Sequence, residues 1–202
     1  MTMPTTMQIA LYPWYVFAAV WLVSALWVKR TKVRERSFDR LITMVVVIVA
    51  YELLFSGWLR IGILRQRFVP EENSLRWTGF AISCVGVSIA VWARCCLGAN
   101  WSARVTLKEG HQLIRSGPYR FVRHPIYTGM LVAACGTALI VGEWRGLLAI
   151  VLLVAAHSRK ALREEALLAK EFGEEYLNYR RTTGFLFPLF GLPGMDIRGN
   201  RS

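Results

Sequence analysis

The sequence predicts an all-α, polytopic transmembrane protein of about five spans, the last two forming a tight hairpin. Three observations lead there: four long runs nearly free of charge, a shorter fifth run continued by a charged helical pattern, and basic residues crowded between these runs. Composition agrees, because 54% hydrophobic residues and a mean hydropathy of +0.36 exceed the roughly 45–50% apolar content of ordinary soluble domains. The net charge of +12 raises the rival reading of a basic nucleic-acid binder. Such binders carry their charge on a soluble scaffold. Here the charge sits between apolar runs, so the reading is membrane, with the lipid bilayer as partner and no nucleic acid.

The runs follow in order. Leu11–Val28 holds 18 residues without a charge, and Leu41–Leu59 holds 19 with Glu52 as its one acid. Trp77–Ala93 and Pro125–Gly142, of 17 and 18 residues, are again uncharged. Each approaches the roughly 20 residues needed to cross about 30 Å of hydrocarbon. Gly146–Ala156 has only 11 residues; extended to Trp144 and Ser158 it spans if Arg145 snorkels to the interface. Beyond His157 the stretch SRKALREEALLAKEFGEEYLNYRR keeps helical composition, so the fifth span is expected to leave the membrane as one continuous helix. Only Glu143, Trp144 and Arg145 separate the fourth and fifth runs, which dictates an antiparallel hairpin.

Basic residues set the orientation. Twenty of the 25 lie in residues 29–40, residues 94–123 and the segment from 159 onward, all on one side of a five-span chain. The positive-inside rule makes that side cytoplasmic, with the N-terminus outside and the C-terminus inside. No cleavable leader is expected, since the first basic residue, Lys29, follows the first apolar run. The chain divides into residues 1–75 with two spans and a loop, residues 76–190 with three spans and a cytoplasmic helix, and a Gly- and Pro-containing flexible tail at 191–202, together one integrated domain.

Within the third span, Gly79, Ser83, Gly86 and Ala90, with four-residue steps from 79 to 83 and from 86 to 90, mark a close helix–helix approach. Glu52 reads as a polar interior site or an interfacial residue. Cys84, Cys95, Cys96 and Cys135 lack metal-ligand spacing and read as small packing residues, although the Cys95–Cys96 pair near a membrane end also suits acylation. No metal site is expected.

The hairpin returns the chain to the side it left, so GPYRFVRHPIYTG (117–129) and REEALLAKEFGEEY (163–176) are expected to meet at one cytoplasmic surface. No Rossmann fingerprint, P-loop, HExxH or GxSxG occurs. What remains is a surface with arginines, a histidine, tyrosines and a glutamate pair, open on one flank to lipid. It suits a polar cosubstrate from the cytoplasm and an amphiphile from the bilayer.

The stretch LGANWSARVTLKEGHQLIRSGPYRFVRHPIYTG, followed by REEALLAKEFGEEYLNYRR, resembles the membrane methyltransferases that include isoprenylcysteine carboxyl methyltransferases and phospholipid N-methyltransferases. RHPIY at 123–127, the glutamates at 164 and 165, and FGEEYLNY at 172–179 carry the likeness. The resemblance implies S-adenosylmethionine as cofactor, bound without a Rossmann fold. Its pocket would be formed by His111, Gln112, Leu113, Ile114, Tyr119, His124, Pro125, Ile126, Tyr127 and Glu164. It also implies a substrate-contacting arginine at the position of Lys160. A lysine keeps the charge but lacks the bidentate fork that suits a carboxylate.

On this reading Pro125 starts the fourth span where its missing N–H costs little, and His124 and Tyr127 stand at a helix entrance that favours an anionic group. Lys160, Arg123 and Arg120 are the candidate catalytic residues, as clamps on an acceptor carboxylate. The arginines otherwise anchor to lipid phosphate, and the tyrosines otherwise belong to an interfacial belt. The acceptor is expected to be lipidic or prenylated and to enter laterally. Carboxyl O-methylation, phospholipid N-methylation, a non-catalytic membrane scaffold and a small anion transporter all remain open at this point.

Overall fold

The computed structural model describes residues 6–24, 37–56, 61–98 and 113–189. Every regular element among them is helical. They are α1 (Thr6–Ser24), α2 (Ser37–Phe55), α3 (Asn73–Leu97), α4 (Pro125–Val141), α5 (Trp144–Phe172) and α6 (Glu174–Thr182), with single 3-10 turns at Gly62–Arg65 and Gly117–Arg120. α3 alone among the described helices meets the length and hydropathy of a full crossing, and α1 and α4 are shorter apolar helices.

The principal helix–helix contact joins α3 to α4, and glycine makes it possible. A Cβ on Gly86 would lie 2.3 Å from the Ala133 nitrogen, and one on Gly136 would lie 2.4 Å from the Gly79 oxygen. The stripe of small residues is therefore a backbone-to-backbone seam, which lets dispersion contacts accumulate where lipid offers no hydrophobic gain. A polar bond crosses it, Ser83 Oγ donating to the Ala133 carbonyl at 3.0 Å, and beside it Trp14 Nε1 on α1 donates to Thr137 Oγ1 on α4 at 2.9 Å. Around Trp14 the rings of Phe17, Tyr51 and Phe55 pack edge-on at 5.8, 5.2 and 5.8 Å. Leu53, Leu54, Leu131 and Leu153 complete this core.

At one end of the bundle, Gly142 adopts a left-handed conformation (φ 68°) and ends α4, so the connection to α5 needs only Gly142 and Glu143. Arg145 does not snorkel. It is 3% exposed, donates from Nε to Glu143 Oε2 at 2.6 Å, and donates from Nη1 to the carbonyls of Leu53 and Ser56 at 2.6 and 2.7 Å. Those carbonyls close the end of α2, so a buried ion pair ties α2 to the hairpin. Arg67 likewise donates to the Val141 carbonyl at 3.2 Å, while Phe68 N–H and Trp144 N–H pair with the Gly142 and Gln66 carbonyls.

Glu52 is exposed on the last turn of α2, so it does not line the interior of the bundle. Cys95 and Cys135 are also exposed, so these two do not pack inward. α5 runs unbroken for 29 residues, about 43 Å, through the polar stretch expected to continue the fifth run. Gly173 (φ 53°) ends it and starts α6.

Candidate active site

Helix geometry alone brings the two polar clusters together. From Pro125 to Val141 the chain rises 16 steps, about 24 Å, and the same rise along α5 from Trp144 arrives at Lys160. Glu164 and Glu165 then stand about one turn beyond, level with the residues that lead into α4.

The entrance to α4 is held in place before any ligand is considered. Gly117 (φ 60°) turns the chain tightly against α3, where a Cβ would lie 2.6 Å from Cys96 Sγ. Tyr119 is buried, and its carbonyl accepts the Tyr179 hydroxyl at 2.6 Å. Val122 then pairs with Gly184 in a short parallel bridge, and the N–H groups of Arg123 and His124 donate to the Gly184 and Phe185 carbonyls at 2.8 and 3.3 Å. Thr128 Oγ1 donates to the Leu186 carbonyl at 2.6 Å. The segment after α6 is thus a strap across the start of α4. Pro125 occupies the first helical position and is fully buried.

His124 is 6% exposed and sits between both glutamates. Its Nε2 lies 3.2 Å from Glu165 Oε1, and its Nδ1 lies 3.6 Å from Glu164 Oε2. Burial pulls its pKa down, but hydrogen bonds and charge from Glu164 and Glu165 outweigh that and raise it above the ordinary histidine value. The glutamates show the converse. Burial pushes both up, yet His124, with Lys160 and Tyr127 for Glu164 and Arg123 for Glu165, holds both below the usual carboxylate range. An imidazolium between two carboxylates is the consistent charge state.

The glutamates then differ. Glu165 is 4% exposed and is a structural hub, receiving Arg123 Nε at 2.7 Å with Arg180 Nε at 3.7 Å. Glu164 keeps 24% of its side chain exposed and accepts the Tyr127 hydroxyl at 2.7 Å. Tyr127 stacks between two histidines, 5.7 Å from His124 and 5.0 Å from His157, with Lys160 Nζ 5.5 Å from its ring centre.

The expected site residues therefore divide. His124, Pro125, Tyr127, Lys160 and Glu164 come together; Tyr119 is buried close enough to feel the Glu164 charge, and Ile126 is half-buried beside Tyr127. Leu113 and Ile114 are half-buried in the loop before the turn, whereas His111 and Gln112 lie outside the described residues. Arg120 is exposed, 4.7 Å over the Phe121 ring. Arg123, expected as an acceptor clamp, is engaged elsewhere: besides Glu165, its Nη1 donates to the Arg180 carbonyl at 3.1 Å and to the Thr183 carbonyl, and its guanidinium lies 5.7 Å from the Phe185 ring. Sequence reasoning gave no role to Glu165 by itself, to Phe185 or to His157. The adjacent glutamates held a signal for the first, since neighbours on a helix point about 100° apart and cannot share one task.

These features define a helical protein whose α4–α5 hairpin carries a carboxylate, imidazole and phenol cluster at one end. Residues 75–175 match the sequence profile of the phospholipid methyltransferase family, and the chain belongs to that family. It is 33% identical over 141 residues to the protein-S-isoprenylcysteine O-methyltransferase of Schizosaccharomyces pombe, covering 61% of this chain and 60% of that protein. It is 30% identical over 143 residues to a probable protein-S-isoprenylcysteine O-methyltransferase of Oryza sativa subsp. indica, covering 68% of this chain and 75% of the relative. Among solved structures it is similar to the eukaryotic intramembrane Ras methyltransferase, an isoprenylcysteine carboxyl methyltransferase, at 21% identity and a TM-score of 0.49, covering 90% of this chain and 68% of the other. The chain spans less than two thirds of the length of the fission-yeast relative.

Proposed function

We propose that this protein is an integral membrane methyltransferase that uses S-adenosylmethionine to esterify the carboxylate of a lipidic or prenylated acceptor. The observation that carries this reading is the meeting of His124, at the entrance to α4, and Tyr127 on α4 with Glu164 on α5, in a chain of this family. Exposed Tyr15, Val16, Leu22, Met44, Val45, Ile48, Val85 and Val151, spread over α1, α2, α3 and α5, support a lipid-facing bundle. Five crossings with the N-terminus outside and the site cytoplasmic agree with the distribution of basic residues.

The residues present fit the cofactor. Glu164 keeps acceptor capacity on its exposed side for an ammonium or ribose hydroxyls, and the N–H of Ile126, in the first turn of α4, precedes the first residue that can bond back along the helix. When bound, S-adenosylmethionine supplies a sulfonium methyl group that a carboxylate oxygen attacks in line. His124 works from behind, fixing both glutamates by charge. Glu165 and Arg123 hold the start of α4 against α5 and α6. Lys160 supplies a cation for the acceptor carboxylate beside Tyr127, with Arg120 nearer the headgroups. Excluding water favours the approach of opposite charges, so positioning does most of the work. Residues 76–190 form this core, and residues 1–75 shape the flank through which an acceptor enters laterally.

A second reading, N-methylation of a phospholipid amine, is favoured by the family's description. Radiolabelled donor supplied to membranes containing the protein separates the two. Label in the lipid or prenyl fraction that base releases as methanol establishes the ester; base-stable label establishes the methylamine; no label rejects both.

A further inference from the structure

Of the two described histidines, His124 has a carboxylate oxygen within 3.6 Å of each ring nitrogen, whereas His157 has a ring nitrogen with no such partner. His157 is 4% exposed, and its Nε2 is buried without a hydrogen-bond partner among the described residues. Its ring lies parallel to that of Tyr127, at 5.0 Å and 6°. A phenylalanine would stack there equally well and carry no unpaired nitrogen. Native proteins leave few buried polar atoms unmatched, because each forfeits its bonds to water. The position is therefore built for a hydrogen bond that the protein does not itself supply.

Its neighbours indicate the partner. His157, Lys160 and Glu164 stand at i, i+3 and i+7 on one face of α5, all against Tyr127. Read along the helix, the stripe carries a carboxylate at the donor end, then a cation, then an unpaired imidazole nitrogen toward the apolar part of α5. A group seated between Lys160 and His157 meets an ammonium and one further hydrogen-bonding nitrogen. The ammonium repels a cationic amine and attracts an anion.

Resting on the function proposed above, we infer that His157 is an acceptor-binding residue whose Nε2–H donates to a carboxylate oxygen of the acceptor, with Lys160 as the second contact. The two side chains give a two-point hold that a lysine alone lacks, and thereby orient the carboxylate. His157 is then a determinant of specificity for acidic acceptors over neutral ones of the same lipid.

The test uses the full chain in detergent micelles, with N-acetyl-S-farnesylcysteine as the acid probe and its carboxamide as the neutral one, titrated by calorimetry without donor. The wild type is expected to bind the acid more tightly. His157→Phe keeps the stack and is expected to weaken acid binding about tenfold while moving the amide less than twofold. His157→Gln restores a donor and is expected to recover most of the loss. Donor affinity stays unchanged in both variants. Unchanged acid affinity in His157→Phe, an equal loss for acid and amide, an equal loss of donor affinity, or a wild type that binds neither probe would each overturn the assignment. Failure of the wild type to transfer methyl from labelled donor instead rejects the proposed function, and the binding contrast still judges His157.

Discussion

Glu164 and Glu165 are consecutive, yet their surroundings assign them different work. Glu165 neutralises buried Arg123 and His124, and removing one partner of a buried charge pair leaves the others uncompensated. Glu165→Gln is therefore expected to destabilise the protein by about 3–5 kcal/mol, read as a lowered unfolding midpoint in detergent. Glu164→Gln leaves that midpoint within about 1 kcal/mol and acts on donor binding, because Glu164 is partly exposed and tied to the core less tightly. The pH dependence has a definite sign. The His124 pKa is raised in the folded state, so its contribution is complete below the ordinary histidine value near 6.5 and is lost as pH rises through the folded pKa. The glutamate pKa values are lowered, so theirs is complete above the ordinary value near 4.5 and is lost as pH falls through the folded pKa values. Unfolding midpoints measured across pH are expected to be highest between about 4.5 and 6.5 and to fall on the alkaline side. His124→Gln is expected to remove the alkaline fall.

Among the elements, the α3–α4 seam has least room for change. Gly86→Ala sets a Cβ 2.3 Å from a backbone nitrogen that cannot rotate away, and overpacking of this kind costs about 1–3 kcal/mol or more. A denaturation series compares Gly86→Ala with Gly62→Ala, whose added Cβ meets nothing within 4 Å but which carries a backbone cost at φ 52°; the larger loss is expected at Gly86, where the cost is steric. The hairpin itself was legible in the sequence. Pro125 and Gly142 bracket an uncharged run at the positions where their backbone preferences start and stop helices, and one short connection forces the return. The burial of Arg145 was not legible, because its partners are Glu143 and two carbonyls near the end of α2, about 90 residues away in sequence. Nor was the strap at Thr183–Leu186, whose hold on α4 runs through backbone bonds that leave no periodic pattern. The site was legible in its members more than in their roles: RHPIY and the glutamate pair mark the place, but only helix rotation tells which glutamate faces inward and that Arg123 turns toward Glu165.

For the whole molecule, apolar outer faces, a buried ionic tie at the hairpin turn and a charged cluster at the opposite end describe a bundle with two unlike ends. If it spans the bilayer five times, single cysteines introduced at Arg65 and Arg180 in a cysteine-free background will label from opposite sides of sealed vesicles. Labelling of both from one side contradicts an odd number of crossings between them. The proposed activity depends on the same geometry, because a donor site formed by α4 and α5 requires residues from both helices. Calorimetric titration of the solubilised protein with S-adenosylmethionine tests this most directly. The expected result is saturable one-site binding by the wild type, weakened at least tenfold in both Tyr127→Phe and Glu164→Gln, with folding intact in each. Binding by both variants at wild-type affinity, or none by the wild type, would contradict the account.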